Sequence, residues 1–344
     1  MVNIKEVQQM LKMDEYSFLR EDKRLGSNIM FLTLGGSRAY GTDVESSDTD
    51  VRGCTGETMD SLLGLQKLNT FEQYVDTVTD TVVYSFSKLV ELLISCNPNT
   101  IEMLGCKPEH YVYCDARGKM LIDNGRLFLS RVAVKSFGGY AGAQLRRLTN
   151  ALARDKYSQS EKEKHIYNSC MNIINTFDNR HREMAEGSMQ LYIDTSTREG
   201  METEIYTDVI LKHYPLRDMN GIFNELTNVI RDYEKIGKRN HKKDNMHLNK
   251  HAMHLIRLYL MGIDILEKGK IITYRQEDHD LLMSIRNGEY QKEDGTYKED
   301  FFILLNKLEE RFKYASNNTS LPDMPDLSKI NDLVKEINIM SIRD

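Results

Sequence analysis

One stretch constrains this chain more than any other. A short apolar run, NIMFLTL (28–34), stops at Gly35-Gly36, continues into Ser37, and is followed by Asp48-Thr49-Asp50. An apolar run this short, closed by glycines, reads as a buried strand rather than a helix. The glycine pair lets the backbone turn sharply and pass close to a ligand. Ser37 then opens a short helix whose hydroxyl and N–H groups would face an anion such as a phosphate. There is no Gly-Lys-Ser/Thr for a P-loop and no G-x-G-x-x-G for a dinucleotide fold. On a strand, Asp48 and Asp50 would share a face. Two such carboxylates repel unless a cation neutralises them, and Mg²⁺ binds through one or two carboxylates plus substrate phosphates. A phosphate loop beside paired carboxylates suits phosphoryl or nucleotidyl transfer.

The surroundings alternate strand and helix. Strands are expected at 50–53, 71–75 (FEQYV) and 77–86 (TVTDTVVYSF), which are rich in β-branched and aromatic residues. Short helices are expected at 6–12, 16–20 and 60–65, and another at 88–95. The Asn97-Pro98 turn closes that last helix, and Asn99 is the expected cap of the next. After Asp115 the pattern changes to long helices, at 126–153, 161–184, 217–236, 244–268, 277–286 and 300–314. A last helix is expected to end near 337. One interruption, 189–211, alternates around Arg198-Glu199-Gly200 and signals a hairpin. The expected fold is mixed α+β. A small catalytic domain with a mixed sheet (1–110) precedes a mostly helical nucleotide- and acceptor-binding domain with one β-hairpin (111–344).

Charge supports that division. The whole chain carries −6, but residues 1–110 hold 10 Lys+Arg against 17 Asp+Glu. An acidic front part is a poor nucleic-acid groove and a reasonable metal-holding one. The five cysteines form no CxxC pair, which argues against a disulfide framework or a zinc site. No apolar run approaches the ~18 to 20 residues of a membrane span. The opening MVNIKEVQQMLKMDE lacks a signal-peptide layout. A cytoplasmic protein without membrane contact is the expectation.

Gly36-Ser37, a ten-residue spacer and Asp48-x-Asp50 followed by Val51 resemble the signature of the DNA polymerase β nucleotidyltransferase superfamily. More narrowly, GSRAYGTDVESSDTDVRG, SKLVELLISCNPNTIEML, FGGYAGAQLRRL, NKHAMHLIRLYLMGIDIL and LLMSIRNGEY are similar to the prokaryotic and phage RNA-ligase-associated nucleotidyltransferases. The resemblance implies a polymerase-β-like catalytic domain. It implies two Mg²⁺ ions, with Mn²⁺ as an alternative, and a nucleoside triphosphate such as ATP as substrate. An NMP would pass to an acceptor hydroxyl with release of pyrophosphate. The acceptor could be an RNA end, a protein hydroxyl or a small molecule. The resemblance also implies a third carboxylate beside Asp48 and Asp50 as metal ligand and catalytic residue. Asp80 is the match, with Asp76 as the alternative should the strand register slip. Gly36, Ser37 and Arg38 would face the nucleotide, although Arg38 could equally be a surface charge.

Two further clusters are candidates. His247, Lys250, His254 and Arg257 form a basic stripe at helical spacing. By itself such a stripe is a solvated face, but the resemblance turns Lys250, His254 and Arg257 towards the triphosphate. Tyr140, Gln144 and Arg147 share a helix face and could hold the base or acceptor, with helix packing the alternative. A His247–His251 zinc pair has no evident further ligand. The rival to an enzyme is a catalytically silent nucleotide-sensing or partner-binding protein on the same fold.

Overall fold

The computed structural model describes residues 4–64, 71–156, 159–161, 163–164, 166–168, 170–171, 186–212, 216, 219–221, 223–224, 226–227, 230–231 and 245–343. The chain divides into two compact units. One consists of Met1–Gln144 and Ala252–Asp344, the other of Leu145–His251.

The first unit holds a five-stranded mixed sheet in the order β3-β4-β2-β1-β5. Its strands are β1 (Ile29–Leu34), β2 (Val51–Thr55), β3 (Gln73–Asp76), β4 (Thr81–Ser85) and β5 (Tyr111–Cys114). β2 and β4 run parallel; β1–β2, β1–β5 and β3–β4 are antiparallel. All six residues of β1, Thr33 included, are buried, as expected of a mostly apolar strand covered on both faces. Val7, Tyr16, Leu19 and Leu25 pack with Leu32, Leu34, Val51, Val83 and Val112 in one core. Each buried Leu or Val contributes roughly 1.5–3 kcal/mol of transfer free energy. Two short N-terminal helices, Ile4–Met10 and Phe18–Glu21, bring the first of these residues to the sheet.

Mostly helical structure follows, so the α+β expectation holds. The described helices after β5 include Ala116–Asp123, Val132–Lys156, Asn245–Lys268, His279–Arg286, Glu299–Asn318 and Leu327–Arg343. In the second unit, β6 (Glu186–Thr195) and β7 (Thr203–Lys212) form the expected hairpin, turned at Gly200 with φ +80.

Several local expectations need correction. β5 lies beyond the expected strands and pairs with β1. Asn97, not Asn99, caps the helix Pro98–Ile101: its side chain accepts the Asn99 N–H, and Pro98 needs no donor at the first position. Residues Gly125–Phe128 form a 3₁₀ turn, so the long helix begins at Val132 rather than at 126. The last helix continues to Arg343. The helices expected at 161–184 and 217–236 lie largely outside the described residues. No helix among the described residues is long and apolar enough to cross a membrane.

Candidate active site

β1 delivers the chain to the glycine pair, and the pair is built around Asp50. The Gly35 N–H donates to the Asp50 carbonyl at 2.9 Å. Gly36 has φ +55, and a Cβ there would lie 1.9 Å from Asp50 Oδ2. No side chain fits at 36 while the carboxylate holds this position. A single helical turn, Gly36–Tyr40, follows and ends at Gly41 with φ +75. A Cβ on Gly41 would meet the Tyr274 ring at 2.5 Å. Ser37 is half-buried at the start of this turn.

The connection from Thr42 to Asp50 is fixed by two arginines. Arg38 Nε donates to the Asp48 carbonyl (3.1 Å) and its Nη2 to the Ser47 carbonyl (3.0 Å). Arg286 donates to the Thr42 carbonyl (2.7 Å) and to Ser47 Oγ (3.2 Å). Asp48 therefore has an anchored backbone and an exposed side chain. β2 begins only at Val51, so the same-face argument for Asp48 and Asp50 does not carry over to their actual conformation, which is loop.

Asp80 immediately precedes β4. The parallel register pairs Val51 with Thr81, which places Asp50 and Asp80 next to one another at the entrance of adjacent strands. The Val51 N–H reaches the Asp80 carbonyl at 3.3 Å. Asp80 is exposed and has φ +48, in the left-handed region that a non-glycine residue seldom occupies. Asp76, the alternative, sits at the end of β3, where its carboxylate accepts the Thr79 N–H and hydroxyl. Those bonds hold its carboxyl below the usual range.

Arg52 lies among these groups. Its Nη2 is 3.0 Å from Asp50 Oδ1, and its Nη1 donates to the carbonyls of Asp80 and Val51. Among the described residues, no three His, Cys, Asp or Glu side chains come together closely enough to hold a metal. Asp50 and Asp80 are neighbours at the strand entrance, and Asp48 lies two residues before Asp50 on the anchored loop, without a closed three-carboxylate cage among the described residues. Two carboxylates suffice for an ion that also takes substrate phosphates and waters. The hard oxygens around the Arg52 guanidinium, itself a cation, fit that donor set.

The basic stripe divides on folding. Lys250 is exposed and belongs to the second unit, while His254 and Arg257 belong to the first. Arg257 is 1% exposed and does not stand on a solvated face. Its Nη1 pairs with Glu102 Oε2 at 3.1 Å, and its guanidinium lies 3.6 Å from the centre of the Tyr40 ring. The Tyr40 hydroxyl donates to the same carboxylate at 2.8 Å. His254 Nδ1 is 3.2 Å from Arg257 Nη2. Burial pushes the Glu102 carboxyl up, against the pull of Arg257 and Tyr40. This cluster ties the turn Gly36–Tyr40 to the helix Asn245–Lys268. Tyr140 accepts from Asn97 Nδ2 at 3.3 Å, and Gln144 Oε1 is buried with no hydrogen-bond partner among the described residues. Arg147 is exposed in the second unit.

Sequence reasoning missed Glu102, Arg286 and the contacts of Arg52. A signal existed for Glu102: a lone carboxylate inside TIEML, an otherwise apolar turn, needs a buried partner.

Residues 8–172 match the family model RlaP, described as RNA repair pathway DNA polymerase beta family. Over this segment the chain is similar to that family. The segment covers just under half of the chain and includes the whole sheet, the glycine turn and all three carboxylates. No curated protein and no solved structure matches the chain. The family description points to a nucleotidyltransferase of the polymerase β type connected with RNA repair.

Proposed function

We propose that this chain transfers an NMP from a nucleoside triphosphate to an acceptor hydroxyl. The acceptor oxygen forms a bond to the α-phosphorus, the bond to the β-phosphate bridging oxygen breaks, and pyrophosphate leaves. The hydroxyl proton passes to solvent. The observation that supports this reading best is the packing of Asp50 into the glycine turn, beside Asp80 across the β2–β4 register.

In this reading, Gly36 and Ser37 lie against the triphosphate and Arg38 holds the Asp48 loop in place. Asp48 and Asp50 would hold Mg²⁺ or Mn²⁺ with the phosphates, and Asp80 would serve a second ion near the acceptor. When bound, such ions lower the pKa of the acceptor hydroxyl and neutralise charge on the attacking and leaving oxygens. Lys250 and His254 are proposed nucleotide contacts. Arg257 would act on Tyr40 and the glycine turn rather than on phosphate, since its guanidinium is buried against Glu102. Tyr140 and Gln144 are proposed contacts for the base or acceptor; the buried, unpartnered Gln144 Oε1 favours this. The sheet segment is the proposed catalytic part and the helical remainder the nucleotide- and acceptor-binding part, in a cytoplasmic enzyme.

The family description makes an RNA end the acceptor to test first. Labelled NTPs, Mg²⁺ and RNAs with defined 3′ or 5′ ends should yield labelled RNA together with pyrophosphate. Asp50→Asn should abolish both products. A folded wild-type protein that binds NTP but labels no RNA, protein or small molecule from a lysate, and releases no pyrophosphate, would favour the sensing alternative. That alternative draws on the absence of a closed three-carboxylate group among the described residues.

A further inference from the structure

The glycine turn makes room for two side chains, not one. A Cβ at Gly36 would strike Asp50 Oδ2 at 1.9 Å, and a Cβ at Gly35 would meet Arg52 Cγ at 2.9 Å. Asp50 and Arg52 are two residues apart at the start of β2 and are paired at 3.0 Å. Their side chains are each only 24% exposed. The guanidinium gathers one carboxylate oxygen and two main-chain carbonyls, those of Val51 and Asp80. A cluster of three oxygens around a positive charge, two of them from the β2–β4 entrance, is an environment a divalent cation would also favour. The guanidinium and a metal ion at Asp50 would compete for Oδ1.

We propose that Arg52 is a positioning residue that holds Asp50 in place while no metal is bound and must yield the carboxylate when an ion enters. The proposal rests on Asp50 being a metal ligand. Competition of this kind lowers the affinity of the free protein for a divalent ion, because each binding event must first break the Asp50–Arg52 pair. A triphosphate changes the balance. It supplies additional oxygen ligands to the ion and an anionic partner for the displaced guanidinium. The site therefore favours the metal–nucleotide complex over the bare ion. The titratable groups around Arg52 are Asp50, paired with it, Asp80, whose carbonyl it contacts, and, at longer range, Glu102 and the Tyr84 phenol. Glu102 is already engaged by Arg257 and Tyr40, so it offers Arg52 no ready alternative partner.

The test is Mn²⁺ binding by the full chain without nucleotide, with free Mn²⁺ counted by electron paramagnetic resonance. Arg52→Gln retains a hydrogen-bond donor but removes the charge. It should bind Mn²⁺ up to about fivefold more tightly than wild type, equivalent to removing a competitor worth about 1 kcal/mol. Arg52→Lys should stay close to wild type. With Mn²⁺–NTP the gain in Arg52→Gln should shrink or reverse, since the phosphate partner is lost. Circular dichroism and melting in EDTA verify that each variant is folded. Equal Mn²⁺ affinity in wild type and Arg52→Gln would overturn the role of Arg52 and leave Asp50 as a metal ligand. Undetectable Mn²⁺ binding by both folded proteins, with and without NTP, would overturn the metal reading itself.

Discussion

Gly36→Ala tests the geometry at its tightest point. The added Cβ would sit 1.9 Å from Asp50 Oδ2, whereas ordinary van der Waals contact needs about 3.4 Å or more. The carboxylate must therefore retreat by roughly 1.5 Å, which breaks its pairing with Arg52 at 3.0 Å. The left-handed backbone at φ +55 adds about 1–2 kcal/mol for any residue with a Cβ. The partly exposed ion pair contributes at most about 1 kcal/mol after solvent screening. Together these give a loss of about 1–3 kcal/mol. At roughly 2–4 °C per kcal/mol for a domain of this size, the melting temperature should fall by about 2–12 °C. Gly139→Ala is the control: nothing lies within 4 Å of a Cβ there, inside the helix Val132–Lys156. It should be neutral or stabilising by up to ~1 kcal/mol. Scanning calorimetry in EDTA gives the stabilities, and pyrophosphate release gives the activity. A Gly36→Ala protein that melts and turns over like wild type would refute the placement of Asp50.

Other expectations follow from single contacts. Asp80→Gly should raise stability by about 0.5–1 kcal/mol, because φ +48 strains aspartate and not glycine; pyrophosphate release should nonetheless fall by orders of magnitude, and full activity would remove Asp80 from the catalytic set. Asp50→Asn should lower the melting temperature in EDTA slightly, since its partner is Arg52, whereas Asp48→Asn should leave it unchanged; the reverse ranking would contradict the pairing. Glu102→Ala should cost about 3–5 kcal/mol by stranding the buried Arg257, and adding Arg257→Met should recover a large part of it; chemical denaturation measures both. Asp76→Asn should remove a few tenths of a kcal/mol after screening. The Asp76 carboxyl is held low in the folded chain, so its contribution is present above the unfolded pKa of about 3.9 and is lost as pH falls through the folded value. A denaturation series between pH 3 and 6 should show wild type and Asp76→Asn converge at the acid end.

The parts of the fold carried by local pattern were readable in the sequence. β1 is an apolar run broken only by Thr33, β4 is rich in β-branched and aromatic residues, and the hairpin alternates around a glycine; each is a local pattern. β5 is not, because YVYC is only four residues long and becomes a strand through pairing with β1. The candidate site shows the same division. The glycine pair and the two aspartates are visible as a motif, and Asp80 is singled out by the family resemblance, with Asp76 as the alternative; the structure sets Asp80 just before β4 rather than on it. What the motif lacked was every partner distant in sequence. Arg257 reads as one tooth of a basic stripe until Glu102, 155 positions away, is seen beneath it. Arg286 reads as a helix-end charge until it is found on the Thr42–Ser47 loop. Charge spacing along a helix reveals which residues share a face but not what covers that face. A long cationic side chain suits a solvated surface and a buried ion pair equally well. The one local clue is an unmatched charge inside an apolar segment, as at Glu102. Burial of that charge is stable only with a partner, so its presence in TIEML required a cation from elsewhere in the chain. The helix that supplies it packs where it does partly to satisfy that requirement. Because Tyr40 shares the same carboxylate, the constraint reaches the C-terminal end of the turn that begins at Gly36, four residues from the contact with Asp50.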